Sequence, residues 1–492
     1  MNLLYIFLLT IFFICHSCQA EIESFTEKEI CADIFPDYKD VTIPINIAPL
    51  NFTIKGELNN SKVVFQTKNK QLAINSKDGK ITIPIKRWRE LIDSSIIDDK
   101  RIMVSVFIEN NSSWIKFKPF FLYISTDSID PFIVYRLIEP GYESWGEMGI
   151  YQREIESFKE IPILENSSTG FGCMNCHSFC MNNQNKMLFH LREKCSGTII
   201  TDGKKIEKIN TSTKETISPL VYPSWHPKGK FIAFSNNITR LTTLSNDSNR
   251  VEVYDSESDV VVYDVEKHEI ITTPHLFRKD KLETFPTFSA DGKKLYFCSS
   301  DTVKMPEHFK DAKYSLYSID FNSDKATFGN IIDTLYNAYI NKRSASFPRV
   351  SSNGKYLLYA LSNYGNFSIW HNDSDLKLID LKTNKDIDIS LINSSQAESY
   401  HSWSSNSHWI MFNSRRNNGL YTNIYFAYLD DNGNVSKPFL LPQKNPEFYD
   451  KFMKSFNIPE FIKGKINIKP TELAEKANNE VTKKVNFRMI TN

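Results

Sequence analysis

The residues of this chain best equipped for chemistry lie in one short stretch, Gly172-Cys-Met-Asn-Cys-His-Ser-Phe-Cys180. Two thiols three residues apart, with an imidazole directly after the second, can serve several chemistries. Thioether bonds from Cys173 and Cys176 to the vinyl groups of a porphyrin would leave His177 as an axial ligand of iron, the arrangement of a c-type haem. In an oxidising compartment Cys173 and Cys176 could form a tight disulfide, or pair with Cys180 and Cys195 into a two-bridge loop. Zinc could take Cys173, Cys176 and Cys180, with Cys195 or His177 as the fourth ligand. A redox-active Cys-x-x-Cys wants a βαβ surrounding that is missing here. With 10 His among 492 residues, a His directly after the second Cys is a coincidence of roughly 2%, which favours haem. Cys180 and Cys195 are then free to form a disulfide, and Cys298 reads as a small buried residue.

The sixth iron ligand would decide between electron transfer and the binding of small molecules. Met181, Met187 and His190 follow the motif closely. In an alternating strand Met187 and Phe189 face one side, Leu188 and His190 the other. His190 is the expected ligand, because imidazole binds iron more strongly than a thioether.

The compartment is read from the N-terminus. Leu3 to Ile14 is an uncharged apolar run, too short to span a bilayer but suited to the core of a secretory signal. Small Ser17 before Cys18, followed by Glu21 and Glu23, suggests a lipoprotein signal over residues 1–18 with Cys18 acylated; cleavage after Ala20 is the competing reading. The expected location is the periplasm or outer membrane, with membrane contact only through the lipid anchor. Basic and acidic residues nearly cancel, 59 against 58, so nothing draws nucleic acid.

The elements that must position the motif are β-strands. Four segments share one pattern: Tyr222 to Phe234, Phe285 to Phe297, Phe347 to Tyr359 and Tyr400 to Phe412. Each runs aromatic, Pro or His, any residue, a large apolar residue, then a turn at Gly229, Gly292, Gly354 or Ser407. The turns are 63, 62 and 53 residues apart, enough for a four-stranded antiparallel blade with variable loops. Weaker copies upstream, in 132–153 and 186–210, bring the estimate to six blades. The fold expected is all-β: a tether over 19–40, a small β-sandwich over 41–127, a β-propeller over 128–442 with the haem-motif segment 171–195, and a loose tail over 443–492. Two stacked sandwiches are the alternative.

At Ile47-Ala-Pro-Leu-Asn-Phe52, Tyr135-Arg-Leu-Ile-Glu-Pro-Gly141, Cys173 to Ser178, Lys186 to Arg192, the Trp225 and Phe288 repeats and Asn457-Ile-Pro-Glu-Phe461, the chain resembles bacterial envelope proteins with TolB-like propeller repeats and an inserted Cys-x-x-Cys-His segment. The resemblance covers most of the mature chain and implies a periplasmic or lipid-anchored six-bladed TolB-like propeller beside envelope glycan or redox machinery. Ser407 in place of Gly, and the extra Cys180 and Cys195, depart from the pattern.

The expected function is electron transfer or haem-based sensing with an envelope or redox partner. The alternative is a non-enzymatic scaffold that binds protein or glycan, its Cys cluster forming disulfides or a zinc site. His226, His371, His401, Arg343 and Arg349 are the inviting catalytic groups, but they are scattered, and no nucleophile elbow, phosphate loop or zinc-protease motif accompanies them. No enzyme is assigned.

Overall fold

Short apolar runs rich in Val, Ile, Phe and Tyr, punctuated by turn residues, become β-strands through nearly the whole chain. The computed structural model describes residues 22, 24–56, 60–111, 113–139, 146–244, 247, 249–479 and 482–491. Leu3 to Ile14 and Cys18 lie outside the described residues.

Six inner strands organise the larger part: β1 (Met174–Phe179), β2 (Val221–Trp225), β3 (Lys281–Phe288), β4 (Ser344–Val350), β5 (Glu398–Trp403) and β6 (Ser455–Ile462). Each begins an antiparallel run of four strands. β1 pairs outward through Met187–Leu191 and Gly197–Thr201 to Ile206–Asn210. β6 closes a sheet whose other strands, Phe132–Ile138, Gly149–Glu154 and Glu160–Glu165, lie more than 280 residues earlier. The inner strands touch in cyclic order, β1 to β2 and onward to β6, which returns to β1. The turns at Gly229, Gly292, Gly354 and Ser407 all have left-handed backbone, φ between 65° and 73°. Ser407 tolerates it while its hydroxyl accepts a hydrogen bond from Asn353 N at 2.9 Å.

The segment before the ring is a seven-stranded sheet and a three-stranded sheet, with a helix, α1 (Ile85–Ile97), that the strand-like bursts of the sequence did not suggest. Its buried Trp88, Leu91, Ile92 and Ser95 recur at helical spacing. Trp88 Nε1 donates to Ile47 O at 2.9 Å. Just before the helix, Lys80–Ile81 is a strand of two residues.

Two expectations are corrected. The stretch 19–40 is not merely a tether, since Phe25–Lys28 pairs with residues 114–117 and Tyr38 is fully buried. The tail 443–492 is not loose. Alternating apolar residues make β6 a ring strand, Pro470–Asn479 is a helix, and Lys483–Lys484 and Asn486–Met489 add to outer sheet edges. A further short helix covers Phe448–Lys451.

The turn at Gly292 offers a test. A Cβ there would stand 2.1 Å from His226 Nε2 on a left-handed backbone, whereas one at Gly433 meets nothing closer than 3.6 Å. Gly292→Ala should lower the unfolding free energy by about 2–3 kcal/mol and Gly433→Ala by about 1 kcal/mol in urea titrations; equal losses would contradict this account of the turn.

Candidate functional site

Each inner strand carries the same irregularity. In β1 to β5 the register slips between Asn175 and Ser178, Val221 and Ser224, Thr284 and Thr287, Ser346 and Arg349, and Ser399 and Ser402. A matching slip faces β6. At each slip one non-glycine residue has positive φ: Cys176 (52°), Tyr222 (51°), Phe285 (50°), Phe347 (52°), Tyr400 (42°) and Ile458 (48°). These are β-bulges, which bend a strand and re-aim its side chains. Cys176-His-Ser-Phe179 and Ile458-Pro-Glu-Phe461 are therefore copies of the repeat, equivalent to Tyr222-Pro-Ser-Trp225. The sequence signal was present in the spacing of Phe179 and Phe461, but Cys and Ile in place of the leading aromatic concealed it.

The bulge residues face one another across the ring. Tyr222 meets Phe285 at 4.6 Å, Phe285 meets Phe347 at 4.2 Å and Phe347 meets Tyr400 at 5.1 Å between ring centroids. Residues after the bulge tie neighbouring sheets. Trp225 Nε1 donates to Ser178 O at 3.3 Å, Trp403 Nε1 to Arg349 O at 3.1 Å, and Phe179 N to Glu460 Oε2 at 3.1 Å. Burial pushes Glu460 up to about 8, against the pull of Arg349 and that N–H.

This geometry separates the three residues of the motif. Positions i, i+3 and i+4 share a face on a helix, but a strand turns successive side chains to opposite sides. Cys173 packs against the apolar cluster around Met148 and Met174. Cys176 lines a cavity of about 610 Å³ on the ring, to which neither Cys173 nor His177 contributes. His177 is buried in the position held by Pro in four of the other inner strands and by His401 in β5. Burial, reinforced by Arg136, holds its pKa at about 3 against the opposing pull of the Ile458 and Val134 backbone. The residues in this arrangement do not fit a haem, which needs both sulfurs and the imidazole on one side.

The remaining expectations fare differently. Met187 and Phe189 do face one apolar cluster and Leu188 another, with His190 against Phe234. His190 lines the cavity beside Cys176, but His177 does not, so the pair is not placed about one metal. Cys180 and Cys195 are free thiols in different clusters, a correction of the expected disulfide. Cys180 Sγ points to His226 O at 3.6 Å, and Cys195 Sγ to Thr169 O at 3.3 Å and Asn478 Oδ1 at 3.2 Å. Among the described residues no three His, Cys, Asp or Glu gather as metal ligands, so the zinc alternative finds no site there either. Cys298 is buried, which raises its thiol pKa.

His226 and His401 contact backbone carbonyls of Gly292 (3.1 Å) and Leu358 (3.0 Å), His371 pairs with Glu252 at 2.9 Å, and Arg343 with Asp375 at 3.4 Å. Arg349 lies at a smaller opening lined by Ser178, Ser224 and Glu460. These five remain apart.

The cavity itself was not anticipated. Its wall includes Arg136, His190, Asn237, Tyr222, Tyr400 and Asn457, contributed by four different sheets. His190 Nδ1 hydrogen-bonds Thr198 Oγ1 at 2.7 Å, leaving Nε2 without a partner; burial holds this imidazole at about 3. Asn237 Nδ2 donates to Asp255 Oδ2 at 2.6 Å, leaving Oδ1 bare. Arg136 donates from Nη1 to Met174 O at 2.9 Å and from Nη2 to Asn457 Oδ1 at 3.0 Å, with Nε unpaired.

No family model matches the chain, and no curated protein matches it. Among solved structures it is similar to dipeptidyl peptidase 4 of Porphyromonas gingivalis at 12% identity and TM-score 0.32, over 83% of this chain and 52% of that one. It is also similar to a prolyl endopeptidase at 10% identity and TM-score 0.34, over 63% and 42%, and to an ancestral GH74 enzyme at 9% identity and TM-score 0.31, over 85% and 63%. The chain thus spans between two fifths and two thirds of their lengths. Peptidase and glycosidase chemistry stays with those proteins.

Because proline stands at the equivalent position in four inner strands, His177→Pro should fold and lose less than about 2 kcal/mol. The native imidazole stays neutral down to about pH 3, while the unfolded one protonates near 6.5. Wild-type stability therefore falls as pH drops from 6.5 towards 3, and the variant should lose about 1–3 kcal/mol less by pH 4. Denaturant titrations at pH 7 and pH 4 check both, and an unfolded His177→Pro would refute the equivalence.

Proposed function

We propose that this chain is a six-bladed β-propeller behind a small β-sandwich, exported and anchored to the envelope through Cys18, and that it binds a ligand in the cavity on its ring. The observation that carries this reading is the cavity of about 610 Å³ on the ring, whose wall joins the apolar surfaces of Tyr222, Phe367 and Trp370 to the polar residues Arg136, His190 and Asn237. A concave, largely apolar site with a few convergent polar groups is the usual form of a ligand pocket. Burial raises the pKa of the Cys176 thiol on this wall, which disfavours its nucleophilic form, so binding is the function proposed. A glycan or an envelope protein is the partner class.

A thermal-shift panel of saccharides and peptides tests it. A ligand at a hundredfold its Kd should stabilise the protein by about 2.7 kcal/mol. Leu241→Trp, at an exposed position on the cavity wall, should abolish the shift. Shifts indifferent to that substitution, or none at all, would defeat the reading.

A second reading, covalent haem on Cys173 and Cys176 with His177 on iron, is favoured by the Cys-x-x-Cys-His spacing itself. Such a haem would supply one-electron chemistry, with a redox partner at the envelope. It requires β1 to leave the position that its five counterparts hold. Expression of the whole chain with a haem-ligation system separates the readings. The binding reading expects membrane-fraction protein, released by Cys18→Ser, without a Soret band after acid-acetone extraction; a retained band would establish haem.

A further inference from the structure

The smaller opening on the ring is a second site, distinct from the cavity above: we infer that Arg349 there holds the carboxylate of a ligand with an apolar body. Two residues past the six bulges stand Ser178, Ser224, Thr287, Arg349, Ser402 and Glu460, and all six line this opening of about 140 Å³. Four of these equivalent places carry a hydroxyl, so closure of the ring does not call for a charge there. Arg349 is half-buried, and the one hydrogen bond of its side chain among the described residues runs from Nη1 to Pro348 O at 3.0 Å. Nε and Nη2 have no protein partner among them and, unlike Arg136 Nε, are not sealed from solvent. These two nitrogens are adjacent on the guanidinium and form the fork that grips a carboxylate by two parallel hydrogen bonds.

Glu460 does not occupy that fork. No ion pair joins it to Arg349 among the described residues, and its Oε2 accepts from Phe179 N at 3.1 Å. In an ion pair each charge favours the other, yet here burial lowers the pKa of Arg349 and raises that of Glu460 to about 8. Each group is pushed towards its neutral form. At neutral pH the carboxyl is therefore mostly protonated, so it does not repel an anion beside it. Arg349 is the single basic residue lining the opening, and one cation suits a carboxylate better than a phosphate dianion. Trp225, Phe288 and Trp403, each one residue further along its strand, also line the opening and supply apolar surface for the body of the ligand.

Calorimetry on the whole protein at pH 7 compares benzoate with benzamide, its neutral isostere. Benzoate should bind at least about tenfold more tightly, and more tightly than inorganic phosphate. Arg349→Gln should abolish the preference, while Arg349→Lys, a point charge without the fork, should keep part of it. The Arg349 side chain bonds only to the carbonyl of the residue before it, so the glutamine variant should fold and melt no lower than wild type. Circular dichroism checks this, and the comparison of benzoate with benzamide on the unaltered protein stands without it. Equal affinity for the two, no heat from benzoate at millimolar concentration, or an undiminished preference in folded Arg349→Gln would overturn the assignment. Phosphate binding as tight as that of benzoate would overturn the carboxylate class. Benzoate binding lost in Leu241→Trp but kept in Arg349→Gln would move the anion to the larger cavity and overturn the second site.

Discussion

The backbone at the inner strands is the constraint from which the rest of the ring follows. A non-glycine residue with left-handed φ costs about 1–3 kcal/mol and persists only where its surroundings over-determine it. Here six such residues, Cys176, Tyr222, Phe285, Phe347, Tyr400 and Ile458, stand at equivalent places, and the four aromatic ones pack on one another in sequence. A single sheet could not hold its bulge residue in that state, because the stacking that repays the strain comes from neighbouring sheets. Closure by β6 on β1 is therefore as necessary to the bulge of β3 as to its own. The bond from Phe179 N to Glu460 Oε2 spans the seam between chain ends.

The cavity depends on this arrangement in a second way. Bulges re-aim side chains, so inner strands that would otherwise fill the axis expose Asn175, Tyr222, Tyr400 and Asn457 to one opening. Ser178, Ser224, Arg349 and Glu460, two residues beyond the bulges, reach the other opening. The openings are chemically unlike. One holds an acid and a base facing each other; the other holds Arg136 with neutral partners. Orientation of its polar wall comes from groups behind it: Asp255, 1% exposed, turns one amide, and Thr198 sets the tautomer demand on one imidazole.

Much of the ring was legible in the sequence, because period-two alternation and a left-handed turn recur on a visible spacing. The repeats at Trp225, Phe288, Val350 and Trp403 fall on inner strands, and the outward strands upstream at 187–210 stand where alternation placed them. What escaped was whatever depends on contacts distant in sequence. The string Ser455–Ile462 reads as a stray strand until Phe132–Ile138 is seen to lack an inner neighbour. Helix α1 was masked by its β-branched ends, although Trp88, Leu91, Ile92 and Ser95 carry its period. Arg136 and Asn237 gave no local sign of sharing a cavity, since their meeting is a product of ring closure.

The Cys-x-x-Cys-His stretch shows why a motif's chemistry is conditional on the element that carries it. Its spacing has force when i, i+3 and i+4 lie on one face, as on a helix. Met174-Asn-Cys-His-Ser-Phe179 is instead an inner strand, and the demands of that strand account for each residue in turn. Cys176 is small enough to line the cavity where Tyr and Phe plug the axis elsewhere. His177 fills the slot that Pro223, Pro286, Pro348 and Pro459 fill, a bulge position at which a backbone donor is dispensable. Phe179 is the apolar residue that packs between sheets. Only Cys173, before the strand begins, is unexplained by the repeat, and one thiol does not make the motif. The adjacency of Cys and His thus follows from two independent structural positions that happen to be consecutive.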